Sequence, residues 1–228
     1  MNTFCLSDLH GYLPDVPDCE LLLLAGDYCH DHRDRRWYHG PFRAWLQGLR
    51  DRGVDVVGVG GNHDWVLHDD EAFARSLPWH YLLDETLLYF RRDANGDPTD
   101  EPPLLIYGSP WQPKFFDWAW NLDEDGLAAK WALIPEGTDI LLLHGPPFGI
   151  ADLTRGGDRT GSPSLTRRIE VVRPKLVVCG HIHECGGAHT FGFTDGTSCL
   201  LINASFVDAD YRPSLTGPFF PLCERSEQ

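Results

Sequence analysis

Five short apolar runs, each delivering an aspartate or a histidine at its C-terminal end, constrain this chain more than any other feature. Thr3-Phe4-Cys5-Leu6 leads into Asp8-Leu9-His10, and Glu20-Leu21-Leu22-Leu23-Leu24-Ala25 stops at Gly26-Asp27. Val54-Asp55-Val56-Val57-Gly58-Val59 enters Gly61-Asn62-His63-Asp64, Asp139-Ile140-Leu141-Leu142-Leu143 enters His144-Gly145, and Lys175-Leu176-Val177-Val178-Cys179 enters Gly180-His181-Ile182-His183. Near-continuous apolar runs of this length read as strands buried on both faces, the pattern of a covered parallel sheet. Loops held by such a scaffold commonly carry catalysis. Five strand ends therefore aim metal-type ligands at one edge.

Between the runs the chain is less uniform. Between Leu6 and Glu20 a loop carrying Pro14 and Pro17, rather than an ordinary helical crossover, is expected to make the passage. An extended backbone puts Asp8 and His10, two residues apart, on one side. His30 and His32 lie in the polar stretch Tyr28-Cys29-His30-Asp31-His32-Arg33-Asp34 and read as exposed or as the rim of a site. Pro41 is expected to open a helix with Phe42, Trp45, Leu46 and Leu49 on its inner face, closed by Gly53. A short acidic helix follows around Asp69 to Ala74, then short strands at Tyr81 to Leu83, Leu87 to Phe90 and Leu104 to Tyr107, with a surface turn from Ala94 to Pro98.

The stretch from Pro110 to Asn121 is dense in aromatics without a period. It reads either as a wall that stacks a base or an apolar leaving group, or as a plug for the core. Helices are expected over Glu124 to Leu133 and from Pro163, with Ser162 as N-cap, to about Val172. Thr190 to Phe193 and Ser198 to Ile202 form a hairpin about Asp195-Gly196, and Pro218 to Leu222 is expected as an edge strand. No repeat, low-complexity tract or linker interrupts residues 1–228, which read as a single domain.

Composition bounds the partners. A net charge of −15 disfavours long nucleic acid, whose sequence-independent binding needs Lys and Arg on the phosphates, and favours small substrates. The seven Cys contain no C-x-x-C pair and read as reduced, mostly buried thiols of a cytoplasmic protein. The Met1-Asn2-Thr3-Phe4 start lacks a signal peptide's basic region and long apolar core, and no apolar run approaches the ~20 residues of a membrane span. Oligomeric state leaves no mark in the sequence.

Asp8, His10, Asp27, Asn62, His144, His181 and His183 make seven oxygen and nitrogen donors with no thiolate. That is too many for one transition ion and suits two ions sharing a carboxylate, held ~3.5–4 Å apart. Two divalent ions supply +4, the two aspartates −2 and a bridging hydroxide −1, leaving about +1 for an incoming anion such as a phosphate ester. Any one of these residues alone reads better as a satisfied core histidine or a turn aspartate. Five blocks together do not.

The ordered blocks D-x-H (Asp8, His10), G-D (Asp27), G-N-H-D (Asn62, His63, Asp64), H (His144) and G-H-x-H (His181, His183) resemble those of the calcineurin-like metallophosphoesterases. The resemblance deepens at Tyr107-Gly108-Ser109-Pro110-Trp111-Gln112-Pro113, at Ile134-Pro135-Glu136-Gly137-Thr138-Asp139-Ile140-Leu141, at His144-Gly145-Pro146-Pro147 and Gly180-His181-Ile182-His183-Glu184, and at Ile202-Asn203-Ala204-Ser205. These stretches are similar to the metallophosphoesterase-domain-containing subfamily and take in nearly the whole chain.

The resemblance implies an α/β protein, a four-layer α/β/β/α sandwich, and a phosphodiesterase acting on cyclic nucleotides or other small diesters, often with manganese. Iron, zinc, cobalt and nickel also suit the donors. It implies Asp8, His10 and His183 on the first ion, Asn62, His144 and His181 on the second, and Asp27 bridging them, with a hydroxide between the ions as nucleophile. By the same resemblance His63 is not a ligand; it stabilises phosphoryl charge or protonates the leaving oxygen, while Asp64 orients its ring. Two departures stand out. The interval from Asp8 to Asp27 is short for the superfamily, and Tyr28 to Arg36 lacks the Asp-Arg-Gly block of phosphoprotein phosphatases. A phosphomonoesterase, a nuclease and a quiet metal- and nucleotide-binding protein are the alternatives.

Overall fold

The computed structural model describes residues 2–93 and 96–214. In chain order its strands are β1 (Thr3–Leu6), β2 (Leu21–Leu24), β3 (Asp55–Gly58), β4 (His80–Tyr81), β5 (Glu85–Tyr89), β6 (Leu104–Ser109), β7 (Gln112–Pro113), β8 (Asn121–Leu122), β9 (Ile140–Leu143), β10 (Leu176–Cys179), β11 (Gly187–Gly192) and β12 (Ser198–Asn203). One sheet has the order β1-β2-β3-β4, and the other β11-β12-β10-β9-β6-β5. The first is parallel throughout. The second is parallel from β12 to β6 and antiparallel at both edges. The expected hairpin is its β11-β12 edge.

Why the sheets stack follows from the apolar runs. Leu21 to Leu24 are all fully buried, because alternate side chains leave opposite faces of the strand and both faces are covered. Leu21 and Leu23, with Cys5 and Val57, meet Ile106, Ile140, Leu142 and Val178 of the other sheet. Leu22 and Leu24 lie instead with Phe42, Leu46 and Leu49 beneath the helices. On the far side Leu141, Leu143 and Val177 pack with Leu127, Trp131, Leu165 and Ile169. Helix, sheet, sheet, helix: this is the expected four-layer α/β/β/α architecture. Each fully buried leucine contributes about 1.5–3 kcal/mol.

The first helix departs from expectation. It begins at Arg35, not at Pro41, because the Asp34 carboxylate accepts hydrogen bonds from the Arg36 and Trp37 amides and caps it. A short α1 (Arg35–Trp37) passes through a π-helical turn, Tyr38–Phe42, into α2 (Arg43–Asp51). Pro41 sits inside that turn. The acidic helix is two helices, α3 (Trp65–Asp69) and α4 (Glu71–Ser76), broken at Asp70, whose backbone leaves the helical region (φ −140°, ψ 81°) and whose carboxylate caps the second through the Phe73 amide.

Asp123 caps α5 (Glu124–Trp131), and Ser162 caps α6 (Pro163–Val172) as expected. The aromatic stretch carries the two-residue pairing of β7 with β8. Asp97 and Gly96 donate back to Asp93, 3.0 and 2.9 Å away, while Ala94 and Asn95 of the expected turn lie outside the described residues. The strand expected at Pro218 to Leu222 lies outside the described residues. Among the described residues no helix is long and apolar enough to cross a membrane.

Candidate metal centre

Strands β1, β2 and β3 of one sheet and β9 and β10 of the other end at the same edge, and all seven expected donors converge there. Asp8, His10 and His183 form one trio and Asp27, His144 and His181 a second, with ligand atoms within 4.8 Å of one another in each. Asn62 joins the second through Oδ1, 2.9 Å from His144 Nε2. Asp27 Oδ2 lies between the trios, 3.9 Å from His10 Nε2 and 3.5 Å from His144 Nε2.

The route to this convergence is not the extended backbone expected at Asp8 and His10. Asp8, His10, Asp27 and His181 all take left-handed conformations, with φ of 53°, 42°, 58° and 69°. Such backbone costs on the order of 1–3 kcal/mol per residue and persists only where its surroundings impose it. Here the His10 amide donates to the Asp27 carbonyl and the Asp8 amide to Gly26, so neighbouring strand ends lock each other.

Donor chemistry decides what the trios can hold. His144 places Nδ1 2.7 Å from the Ala25 carbonyl, to which that nitrogen donates. Its Nε2 therefore faces two acceptors, Asn62 Oδ1 and Asp27 Oδ2. His183 repeats the design: Nδ1 donates to the Asp208 carbonyl at 3.2 Å, while Nε2 faces Asp8 Oδ1 at 3.2 Å and His10 Nε2 at 3.3 Å. Acceptors packed against acceptors require positive charge among them, either protons or cations.

Burial alone would raise both carboxyls, but His183 beside Asp8, and His144 and His63 beside Asp27, hold them below the usual carboxylate range. Burial pushes His10 down to about 4 and His181 to about 3. At His144 burial is outweighed by the Asp27 carboxylate, which lifts the imidazole to about 9. His183 is lifted likewise by Asp8 over the effect of burial. Two buried carboxylates with bare imidazole nitrogens and an amide oxygen form a donor set that fits two divalent ions.

Around the donors stands a second set, Asn203 and Ser205, which the sequence marks only within Ile202-Asn203-Ala204-Ser205 and gives no role. Ser205 Oγ lies 2.8 Å from Asp8 Oδ2 and 2.7 Å from Asn203 Oδ1. The Asn203 amide donates to the Ile182 and Gly180 carbonyls, pinning the turn that carries His181 and His183. Asn203-Ala204-Ser205 follows β12 just as the ligands follow their strands, which was the available signal.

Asp64 has a structural part that its sequence neighbourhood did not announce. Its carboxylate accepts from the Asp27 and Gly61 amides at 2.8 Å each, from the Tyr28 amide at 2.9 Å and from the Tyr38 hydroxyl at 2.5 Å. Among the described residues none of its hydrogen bonds goes to the His63 ring. Trp118 packs on His63, its ring stacked at 4.3 Å between centroids and 29° between planes, while the His63 amide donates to Asp27 Oδ1 at 2.7 Å.

The aromatic stretch divides between the core and the rim of the centre. Trp120 is in the core, and Trp118 faces the centre. His32 stands at the rim, 5.4 Å from the Trp118 ring, and His30 is exposed. A cavity of about 610 Å³ opens on Asp27, Asn62, His63, His181 and His183, with Trp118, Phe115 and Arg159 among its outer walls. Arg159 is held by the buried Asp152 carboxylate at 2.6 Å.

Two stacked sheets in a four-layer sandwich, with two donor trios joined at one aspartate, define a metallophosphoesterase fold. The chain belongs to the calcineurin-like phosphoesterase family, whose model matches residues 1–185. It is 45% identical over 229 residues to metallophosphoesterase domain-containing protein 1 of Homo sapiens and of Mus musculus, covering 92% of this chain and 67% of theirs. A UPF0046 protein of Caenorhabditis elegans is 34% identical over 225 residues, or 87% of this chain and 55% of that one. A solved crystal structure aligns over 90% of both chains with a TM-score of 0.56 at 11% identity, a likeness of fold.

Proposed function

We propose that this chain is a metal-dependent phosphodiesterase of small substrates, nucleotides among them, working in the cytoplasm as a single domain with manganese as its ion. The observation that carries the reading is the place of Asp27 Oδ2 between the two trios. Asp8, His10 and His183 would hold one ion, Asn62, His144 and His181 the other, and Asp27 both. Such a pair, when bound, activates water and neutralises phosphoryl charge.

The chain's own groups do the rest. The Ala25 and Asp208 carbonyls keep Nδ1 of His144 and His183 protonated, leaving each Nε2 free to ligate. His63, whose Nε2 is 4.0 Å from Asp27 Oδ2, is placed to donate a proton to the departing ester oxygen. Trp118 fixes the plane from which it does so. The cavity exceeds what phosphate alone fills, and its Trp118 and Phe115 wall suits an ester with an aromatic or apolar arm. The −15 charge opposes a long polyanion.

Purified protein loaded with Mn²⁺ should hydrolyse bis(p-nitrophenyl) phosphate faster than p-nitrophenyl phosphate. Asp27→Ala should abolish this, and His63→Ala should slow it by about 10²–10⁴-fold with metal content unchanged. Hydrolysis surviving thorough chelation, or tight nucleotide binding without turnover of any ester, overturns the reading.

A further inference from the structure

We infer that Tyr211 is a substrate-facing specificity residue: with His10 and His63 it forms a ridge that divides the approach to the centre into two chambers, one for each arm of a diester. This rests on the phosphodiesterase reading and adds how the two arms are told apart. The cavity of about 610 Å³ has a neighbour of about 430 Å³. Among the described residues only His63 and Tyr211 line both. The His10 ring stands between those two, its centroid 4.8 Å from His63 at 87° and 4.7 Å from Tyr211 at 77°. Three rings in a row make the divide.

The chambers differ in character. Trp118, Phe115 and Arg159 wall the larger, whereas Gly11, Tyr12 and His30 line the smaller beyond the ridge. A tetrahedral phosphorus sends its two ester oxygens in different directions, so a diester seated at the centre needs room on two sides. A monoester needs one. His63 reaches both chambers and can therefore meet a leaving oxygen from either.

Tyr211 is built into its place. It is 51% exposed yet holds a φ of 60°, a left-handed conformation that bulky residues rarely adopt. Its amide donates to the Asp208 carbonyl at 2.9 Å, and the Asp208 carboxylate accepts from the Asp210 and Arg212 amides at 2.9 and 3.0 Å. The same Asp208 carbonyl receives the Nδ1 proton of His183. One turn thus aims the tyrosine and orients a donor ring, which fixes the ridge relative to the centre.

The test compares bis(p-nitrophenyl) phosphate with methyl p-nitrophenyl phosphate on Mn²⁺-loaded full-length protein. Tyr211→Ala should lower the ratio of their kcat/KM values by about 2- to 12-fold, the scale of one aromatic contact, mostly through KM. Tyr211→Phe, which keeps the ring, should retain the ratio. Calorimetry should show p-nitrophenyl phosphate binding weakened by a similar factor in Tyr211→Ala with two ions still bound. An unchanged ratio in both variants overturns the inference and leaves the phosphodiesterase reading intact. Loss of metal from Tyr211→Ala with the ratio unchanged overturns it too, assigning the ring to support of His10 and His183. Wild-type protein that cleaves neither diester brings down both.

Discussion

Asp64 shows how much a single carboxylate can organise without touching substrate. It satisfies three buried amides, those of Asp27, Tyr28 and Gly61, and the Tyr38 hydroxyl, tying the end of β2 to the turn after β3. Asp64→Ala strands those donors, each at about 1–3 kcal/mol, so urea unfolding should report a loss of about 3 kcal/mol or more. Tyr38→Phe removes one partner and should cost about 1–3 kcal/mol while sparing metal content. If Asp64 served mainly to raise the basicity of His63, the alanine variant would keep its stability and lose only rate.

At the scale of elements, glycines at strand ends let the loops close on one another. A Cβ at Gly61 would land on the Asp27 carboxylate and amide, and one at Gly180 on Ser7 Oγ and Asp8 Oδ2. Gly61→Ala and Gly180→Ala should each weaken Mn²⁺ binding by at least about 10-fold in calorimetry. Gly48, inside α2 with nothing near its missing Cβ, is the control: alanine there should stabilise by about 0.5–1 kcal/mol. Equal metal affinity in all three variants would contradict the tight closure.

The same elements show what could be read in advance. Apolar runs such as Leu21 to Leu24 announce buried strands, and an Asp or His after each announces a donor, because both signals are local. The left-handed turns at Asp8, His10, Asp27 and His181 depend on hydrogen bonds between distant strand ends, and no residue type announces them. Pro41 misplaced the start of the first helix because the Asp34 cap outweighs it. Tyr211 escaped because a lone tyrosine beyond the last strand has no signature until the fold brings it to the centre, and Ser205 stands out only as part of Ile202-Asn203-Ala204-Ser205, without a role. The hydrogen bonds that Asp64 makes to the Asp27, Tyr28 and Gly61 amides were not legible, since adjacency to His63 in sequence says nothing of which way a side chain turns.

For the molecule as a whole, the centre couples folding to protons and ions. In chelator-stripped protein His144, raised to about 9, stabilises fully below its unfolded value near 6.5, and that contribution is lost as pH rises through 9. His10 and His181, depressed to about 4 and 3, act oppositely: the unfolded chain takes up their protons first, so stability falls as pH drops below 6.5. Thermal unfolding of stripped protein should therefore show the centre's contribution peaking near pH 6.5. Ions held by His144 as proposed would displace its proton, so Mn²⁺ affinity should instead climb steadily toward pH 9. A pH-independent affinity would contradict that.

Calorimetric titration of the chelator-stripped protein with Mn²⁺ tests the central claim most directly. Two trios sharing Asp27 require two ions per wild-type chain and fewer than two in Asp27→Ala. A single ion in the wild type, or two bound with undiminished affinity in Asp27→Ala, would contradict it.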